Sequence, residues 1–186
     1  TTIVSKVFYL DNEAPTVTYG TNGNSAYSNT ASSKITITDN NNLNNDTIKY
    51  IISTDRAAEP DKVLLNGATI NLGAITGSYY LVTNACDTAG NCTKMPSNVF
   101  YMDNVKPVIT YGTNGNSTYA KNHSTTVTAT DNLSTVKTLK YIISTSNTAT
   151  PSTAISSGAT VSLSALTGDY YVVTQACDGA GNCTTL

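Results

Sequence analysis

The residues best equipped for chemistry sit in one eight-residue stretch that occurs twice, Ala85-Cys86-Asp87-Thr88-Ala89-Gly90-Asn91-Cys92 and Ala176-Cys177-Asp178-Gly179-Ala180-Gly181-Asn182-Cys183. Each copy carries two thiols and a carboxylate. Three uses of the thiols compete: local disulfides, a four-cysteine zinc site, and free thiols in a reducing compartment. Paired zinc-binding cysteines are usually separated by two to four residues, and here five intervene. The two pairs also belong to successive repeats, which would hold them a domain length apart. Four cysteines allow three pairings, and the repeat selects the local one, Cys86–Cys92 with Cys177–Cys183. Closing so short a loop contributes at most about 2–2.5 kcal/mol in the chain-entropy model, mainly against fraying. Bridges imply an oxidising compartment, and free thiols are the alternative for a reducing one.

Little else in the chain could catalyse a reaction. His123 is the sole histidine and reads as a solvated side chain in a polar loop. Neither a Ser-His-Asp order nor a glycine-rich phosphate loop is present, so no enzyme is expected. The charged fraction is 12% and the net charge −2. Without basic clusters there is no electrostatic footprint for nucleic acid or an anionic membrane. No apolar run is long enough to cross a bilayer, and no signal peptide is recognisable. The polar residues are Ser, Thr, Asn and Gly rather than Lys and Glu, which suits an extracellular or cell-surface protein. Asn45, Asn116, Asn122 and Asn132 begin N-x-[ST] sequons and are candidate glycosylation sites, although an Asn/Thr-rich chain also makes sequons by chance.

The elements that must position the stretch repeat with it. Val7-Phe8-Tyr9-Leu10-Asp11-Asn12 returns as Val99-Phe100-Tyr101-Met102-Asp103-Asn104, an offset of 92 (99 − 7). Tyr50-Ile51-Ile52-Ser53-Thr54 returns as Tyr141-Ile142-Ile143-Ser144-Thr145, an offset of 91 (141 − 50). A period this long is a complete domain rather than a solenoid unit. Residues 33–39 and 125–131 alternate apolar and polar, as half-buried strands do. Thr47–Thr54 reads as a strand after an Asn-rich loop at 40–45. Short strands flank Asn66-Gly67, and Ser78–Ala85 is the longest strand, with Tyr79, Leu81, Thr83 and Ala85 on its core face. About seven short strands per repeat, with frequent turns and no helical period, fit a β-sandwich. Residues 1–10, rich in β-branched and aromatic types, match Thr93–Met102. They read as the last strand of a preceding repeat, or as a donor strand for a neighbouring copy. The expected domains are 11–102 and 103–186, the second lacking most of its own last strand.

A Tyr-rich strand ending Ala-x-Asp-x-Ala-Gly-Asn, with Asp-Asn-x-x-Pro one domain earlier, resembles the bacterial Ig-like repeats of surface adhesins and stalk or fibre proteins. The residues concerned are Tyr79, Ala85, Asp87, Ala89, Gly90 and Asn91, with Asp11, Asn12 and Pro15, and their second-copy partners. The cysteines depart from the usual Thr or Ser. The resemblance implies two tandem Ig-like β-sandwich domains, end to end. In that topology Asp11, Asn12, Asp39 and Asp87 would converge where the linker enters the domain, and Asp103, Asn104, Asp131 and Asp178 likewise. Such a set suits Ca²⁺, which takes six to eight hard ligands. The competing use of the same residues is capping turns through their own backbone. No cofactor is otherwise required.

The function expected is a structural extracellular repeat module in a stalk or filament, with neighbouring copies or repeats as partners and assembly by strand complementation. The alternative is an adhesin module that binds glycan or host surface through exposed Tyr80 and Tyr171.

Overall fold

The computed structural model describes residues 2–186. Among them, every regular element is a strand, and no helix is long and apolar enough to cross a membrane. The chain forms two compact units. One comprises the chain up to Ser25, Thr30–Gly73 and Gly77–Tyr101; the other comprises Ala26–Asn29, Ala74–Thr76 and Met102–Leu186.

The first unit packs two sheets. β1 (Thr16–Tyr19), β2 (Ser32–Thr38) and β5 (Thr69–Asn71) form one, in the order β1-β2-β5. β3 (Leu43–Ser53), β4 (Lys62–Val63), β6 (Gly77–Asp87) and β7 (Cys92–Pro96) form the other, in the order β4-β3-β6-β7, and β8 (Phe100–Met102) also pairs with β6. The second unit repeats the plan with β9 (Val108–Tyr111), β10 (Ser124–Thr130) and β13 (Ala159–Ser162) facing β11 (Val136–Ser144), β12 (Thr153–Ala154), β14 (Tyr171–Asp178) and β15 (Cys183–Thr185). The fold is all-β, two tandem Ig-like sandwiches.

Period-two patterning makes these sheets. Ser33, Ile35 and Ile37 of β2 face inward while Lys34 and Thr38 are exposed. In β6, Leu81, Thr83, Ala85 and Asp87 are buried, and Tyr79 only half-buried. Val17, Ile35, Ile37, Ile48, Leu64 and Ala85 fill the first core; Ile109, Val127, Ala129, Leu139, Val161 and Ala176 fill the second. No tryptophan helps, so a tyrosine spans each sandwich. Tyr19 donates within reach of the Leu81 carbonyl (3.1 Å), Thr83 Oγ1 (3.0 Å) and the Met95 carbonyl (2.6 Å). Tyr111 meets the Val172 carbonyl (2.6 Å), Thr174 Oγ1 (2.9 Å) and the Leu186 carbonyl (3.2 Å). A buried ring with a satisfied hydroxyl costs little desolvation.

One expectation needs correction. β3 begins at Leu43 and absorbs part of the expected Asn-rich loop. Asn disfavours strands, but the register slips between Asn44 and Lys49, and Thr47 Oγ1 fills the gap by accepting from the Cys86 amide (2.8 Å) and donating to the Asn44 carbonyl (2.7 Å). Such a bulge keeps a poor strand segment paired. Residues 2–10 have no regular structure and are exposed, Phe8 by 80%. Thr1 lies outside the described residues. Their sequence twins Phe100 and Met102 are fully buried in β8. Strand propensity reflects packing against a partner strand, and residues 2–10 pair with none here.

Candidate metal centre

The repeated eight-residue stretch is a hairpin turn in both units. Cys86 pairs across the ladder with Cys92, and Cys177 with Cys183. Both disulfides are formed, with Cα atoms 4.0 and 4.1 Å apart, and the described residues hold no free cysteine. The following aspartate turns inward and caps the turn. Asp87 Oδ1 accepts the amides of Gly90 (2.6 Å) and Asn91 (2.8 Å), and its Oδ2 accepts from Asn91 Nδ2 (2.6 Å). Asp178 repeats the pattern with Gly181 and Asn182. Gly90 and Gly181 have φ near +99° and +100°, a region L side chains avoid. The asparagine has a second task. Asn91 Nδ2 also donates to the Asp11 carbonyl (3.2 Å), and Asn182 Nδ2 to the Asp103 carbonyl (2.8 Å). Each hairpin therefore holds the linker that enters its own unit.

That bond brings three carboxylates together. Asp11, Asp39 and Asp87 each offer an oxygen, all within 4.8 Å of one another, and so do Asp103, Asp131 and Asp178. Most of these oxygens are satisfied. Asp11 accepts from the Glu13 amide and from the side chains of Asn40 and Asn41. Asp103 accepts from the Val105 amide and from the amide and hydroxyl of Ser134. Asp39 Oδ1 accepts the Asn41 amide, and Asp131 Oδ1 the Leu133 amide. The exceptions are Asp39 Oδ2 and Asp131 Oδ2, which are shielded from solvent and meet no donor among the described residues. A buried, unpartnered carboxylate oxygen is costly, and the same one is left bare in both copies.

The carboxylates are tuned in opposite directions. Burial pushes Asp131 above its usual value, and the charges of Asp103 and Asp178 add to this. Burial also presses on Asp103 and Asp87, but hydrogen bonds outweigh it. Ser134 and the Val105 amide hold Asp103 low; Asn91 and the Gly90 amide hold Asp87 low. Asp11 is held low by Asn41 and the Glu13 amide.

The remaining candidates divide. Asn12 is exposed, and the Asn104 side-chain amide donates to the Ile75 carbonyl (2.7 Å). Asn45, Asn116, Asn122 and Asn132 are all exposed. Tyr80 is half-buried and Tyr171 half exposed. His123 is half-buried at a cleft, and its Nδ1 accepts the Ser124 amide (3.0 Å). Asn40, Asn41 and Ser134, which dress the carboxylates, escaped sequence reasoning. The Asp39-x-Asn41 and Asp131-x-x-Ser134 spacings are ordinary turn signals and do not announce a role for another loop's carboxylate.

Comparison with known proteins adds little. No family profile matches the sequence, and no curated protein matches it. Among solved structures the chain is similar to the fibronectin(III)-like modules of Clostridium thermocellum CbhA, with 14% identity over 91% of this chain and 90% of that one. The TM-score is 0.38, too low for an argument about function.

Proposed function

We propose that the chain is a structural, non-catalytic repeat module of the cell exterior, working in a stalk or filament beside neighbouring copies or repeats of itself. One observation supports this most directly: both units build the same device, a disulfide-stapled hairpin whose asparagine grips the linker entering that unit. Bridges suit an oxidising compartment, and a linker tied to its own hairpin has little slack to lose under load. Exposed sequons fit the same location. The adhesin reading rests on Tyr171, a single half-exposed ring. The test is retention on immobilised glycans and matrix proteins. No saturable binding is expected, and binding abolished by Tyr171→Ala would overturn the module reading.

The carboxylate clusters extend this proposal. A Ca²⁺ ion at each would occupy the bare Asp39 or Asp131 oxygen and draw further ligands from the linker and hairpin aspartates. The ion supplies positive charge that offsets three converging carboxylates. The check is a pair of thermal melts, in about 1 mM Ca²⁺, the range of extracellular modules, and in chelator. Calcium should raise the midpoint, and Asp131→Asn should remove the gain in the second unit. An unchanged wild-type midpoint refutes the ion.

A further inference from the structure

The loop after the first strand has the same sequence in both units, Thr21-Asn22-Gly23-Asn24 and Thr113-Asn114-Gly115-Asn116. In the first unit, β1 and this loop run beside the segment that leads through β8. The Tyr19 hydroxyl donates to the Met95 carbonyl (2.6 Å). Asn22 Oδ1 accepts the Asn98 amide (2.6 Å), and the Asn24 amide donates to the Val99 carbonyl (3.0 Å). The Asn24 side chain then holds Tyr101 by both ends, accepting its amide (2.6 Å) and donating to its carbonyl (3.1 Å). Ser28 carries the line on, as a parallel bridge to Met102 and by accepting the Asp103 amide (3.0 Å). Ser97 anchors the same segment to β6 by exchanging bonds with Leu81, 2.8 Å from its amide and 2.9 Å to its hydroxyl. The fit is close: a Cβ on Gly23 would lie 2.5 Å from the Val99 carbonyl oxygen.

The partners keep a nearly constant offset along the chain. It is 76 for Tyr19 with Met95 and for Asn22 with Asn98, 77 for Asn24 with Tyr101, and 74 (102 − 28) for Ser28 with Met102. A constant offset belongs to two segments that run side by side in the same direction; in an antiparallel pair one number rises as the other falls. Through β1 the chain enters the unit, and through residues 97–103 it leaves. Tension on the linker 11–15 and on Asp103 therefore pulls the two segments past each other. Bonds that lie across such a pull stretch together, whereas those of a hairpin pulled at its open end break one at a time.

We infer that this run of bonds is a shear clamp, which carries tension directly from the entry strand of the first unit to its exit segment. The four ladder pairs of β1 with β2 hold the entry strand in place, and the clamp passes the load on from there. The core strands β3 and β6 stay unloaded until it breaks. Resistance to pulling is thus assigned to asparagines at the edge, Asn22 exposed and Asn24 half-buried, and resistance to denaturant to the apolar core. Forced unfolding is governed by the unfolding rate rather than by equilibrium stability, so the two can be measured apart.

This inference rests on the module reading, because a stalk or filament is what puts the chain under tension. Single-molecule spectroscopy at fixed force, on the full chain held by handles at its two ends, would follow the wild type, the double variant Asn22→Ala/Asn24→Ala, and Ile48→Val. Ile48 is fully buried in β3 and serves as the core control. Two unfolding steps are expected, one per unit. The double variant should shorten the dwell before one of them about a hundredfold for its three lost bonds and leave the other unchanged. Equilibrium denaturation gives the full stability loss of each variant. Under load the double variant should show nearly all of its loss as a shorter dwell and Ile48→Val little of its own, because the core is still intact when the clamp breaks. If the double variant does not fold, Asn22→Ala loses one bond and should shorten the dwell about fivefold. Clamp variants with wild-type dwell times, or a core variant that shows as large a fraction of its loss as they do, overturn the inference. None of these results touches the module reading, which falls to glycan or matrix binding.

Discussion

The two units share strands, hairpins and even the Thr-Asn-Gly-Asn loop, yet differ at one edge. In the first, that loop grips a segment whose Phe100 and Met102 are fully buried. In the second, it borders a cleft. The same contrast exists within the sequence. Val-Phe-Tyr at 99–101 is a clamped strand, and Val-Phe-Tyr at 7–9 is exposed chain without regular structure. Identical residues therefore have opposite environments, and the difference lies in the partner rather than in the segment. The largest expected effect exploits this. Phe100→Ala should destabilise the first unit by about 3–5 kcal/mol, as for other buried Phe truncations. Phe8→Ala, in dilute monomer, should leave both units unchanged within about 0.5 kcal/mol. Chemical denaturation of both variants checks the pair. A comparable loss from Phe8→Ala would mean that residues 2–10 already pack within the monomer.

This pair also marks what was legible beforehand. Alternation in β2 and β10, the long strand β6 and the hairpin between its cysteines could be read because each depends on residues close in sequence. The convergence of Asp11, Asp39 and Asp87 was reachable through topology, since a sandwich brings those loops to one end. Their dressing by Asn40, Asn41 and Ser134 was not, because it depends on side-chain aim between loops. The bulge that carries β3 into an Asn-rich stretch was hidden for a related reason: Thr47 completes the ladder from the side, and no local pattern encodes that. The bonds from Asn91 and Asn182 to the linkers are the clearest omission. Asn after Gly reads as turn chemistry, and nothing nearby shows that the same amide reaches a carbonyl some eighty residues earlier.

A second contrast lies inside the cores. Tyr19 and Tyr111 hold equivalent positions, but their surroundings differ. Leu81, whose carbonyl Tyr19 meets, is fully buried, whereas its counterpart Val172, whose carbonyl Tyr111 meets, is only half-buried. Removing the hydroxyl leaves Thr83 or Thr174, both fully buried, without that partner. Tyr19→Phe should cost about 1–2 kcal/mol, in the range for an unsatisfied buried group. Tyr111→Phe should cost less, because water can replace a bond at an open edge. Equal losses would show that the cleft is as dry as the clamped edge.

The smallest effect separates two carboxylates of one cluster, measured in chelator so that no cation intervenes. Hydrogen bonds from Ser134 and Val105 outweigh burial and hold Asp103 below the usual aspartate value of 3.8 in the folded state. Its contribution to stability is therefore full above the unfolded value and is lost as pH falls through the folded one. Asp103→Asn should destabilise the second unit at neutral pH, and the penalty should shrink as pH drops below about 4. Asp131 is shifted the other way, raised by burial and then by the neighbouring charges of Asp103 and Asp178. Its contribution is full below 3.8 and lost as pH rises through the raised value. Asp131→Asn should therefore gain on the wild type as pH climbs from acid to neutral. Denaturation of the two variants across that window gives slopes of opposite sign if the bare Asp131 oxygen is an electrostatic burden on the folded state. Calcium, where it binds, should flatten the Asp131 slope, because the ion and the proton would compete for the same oxygen.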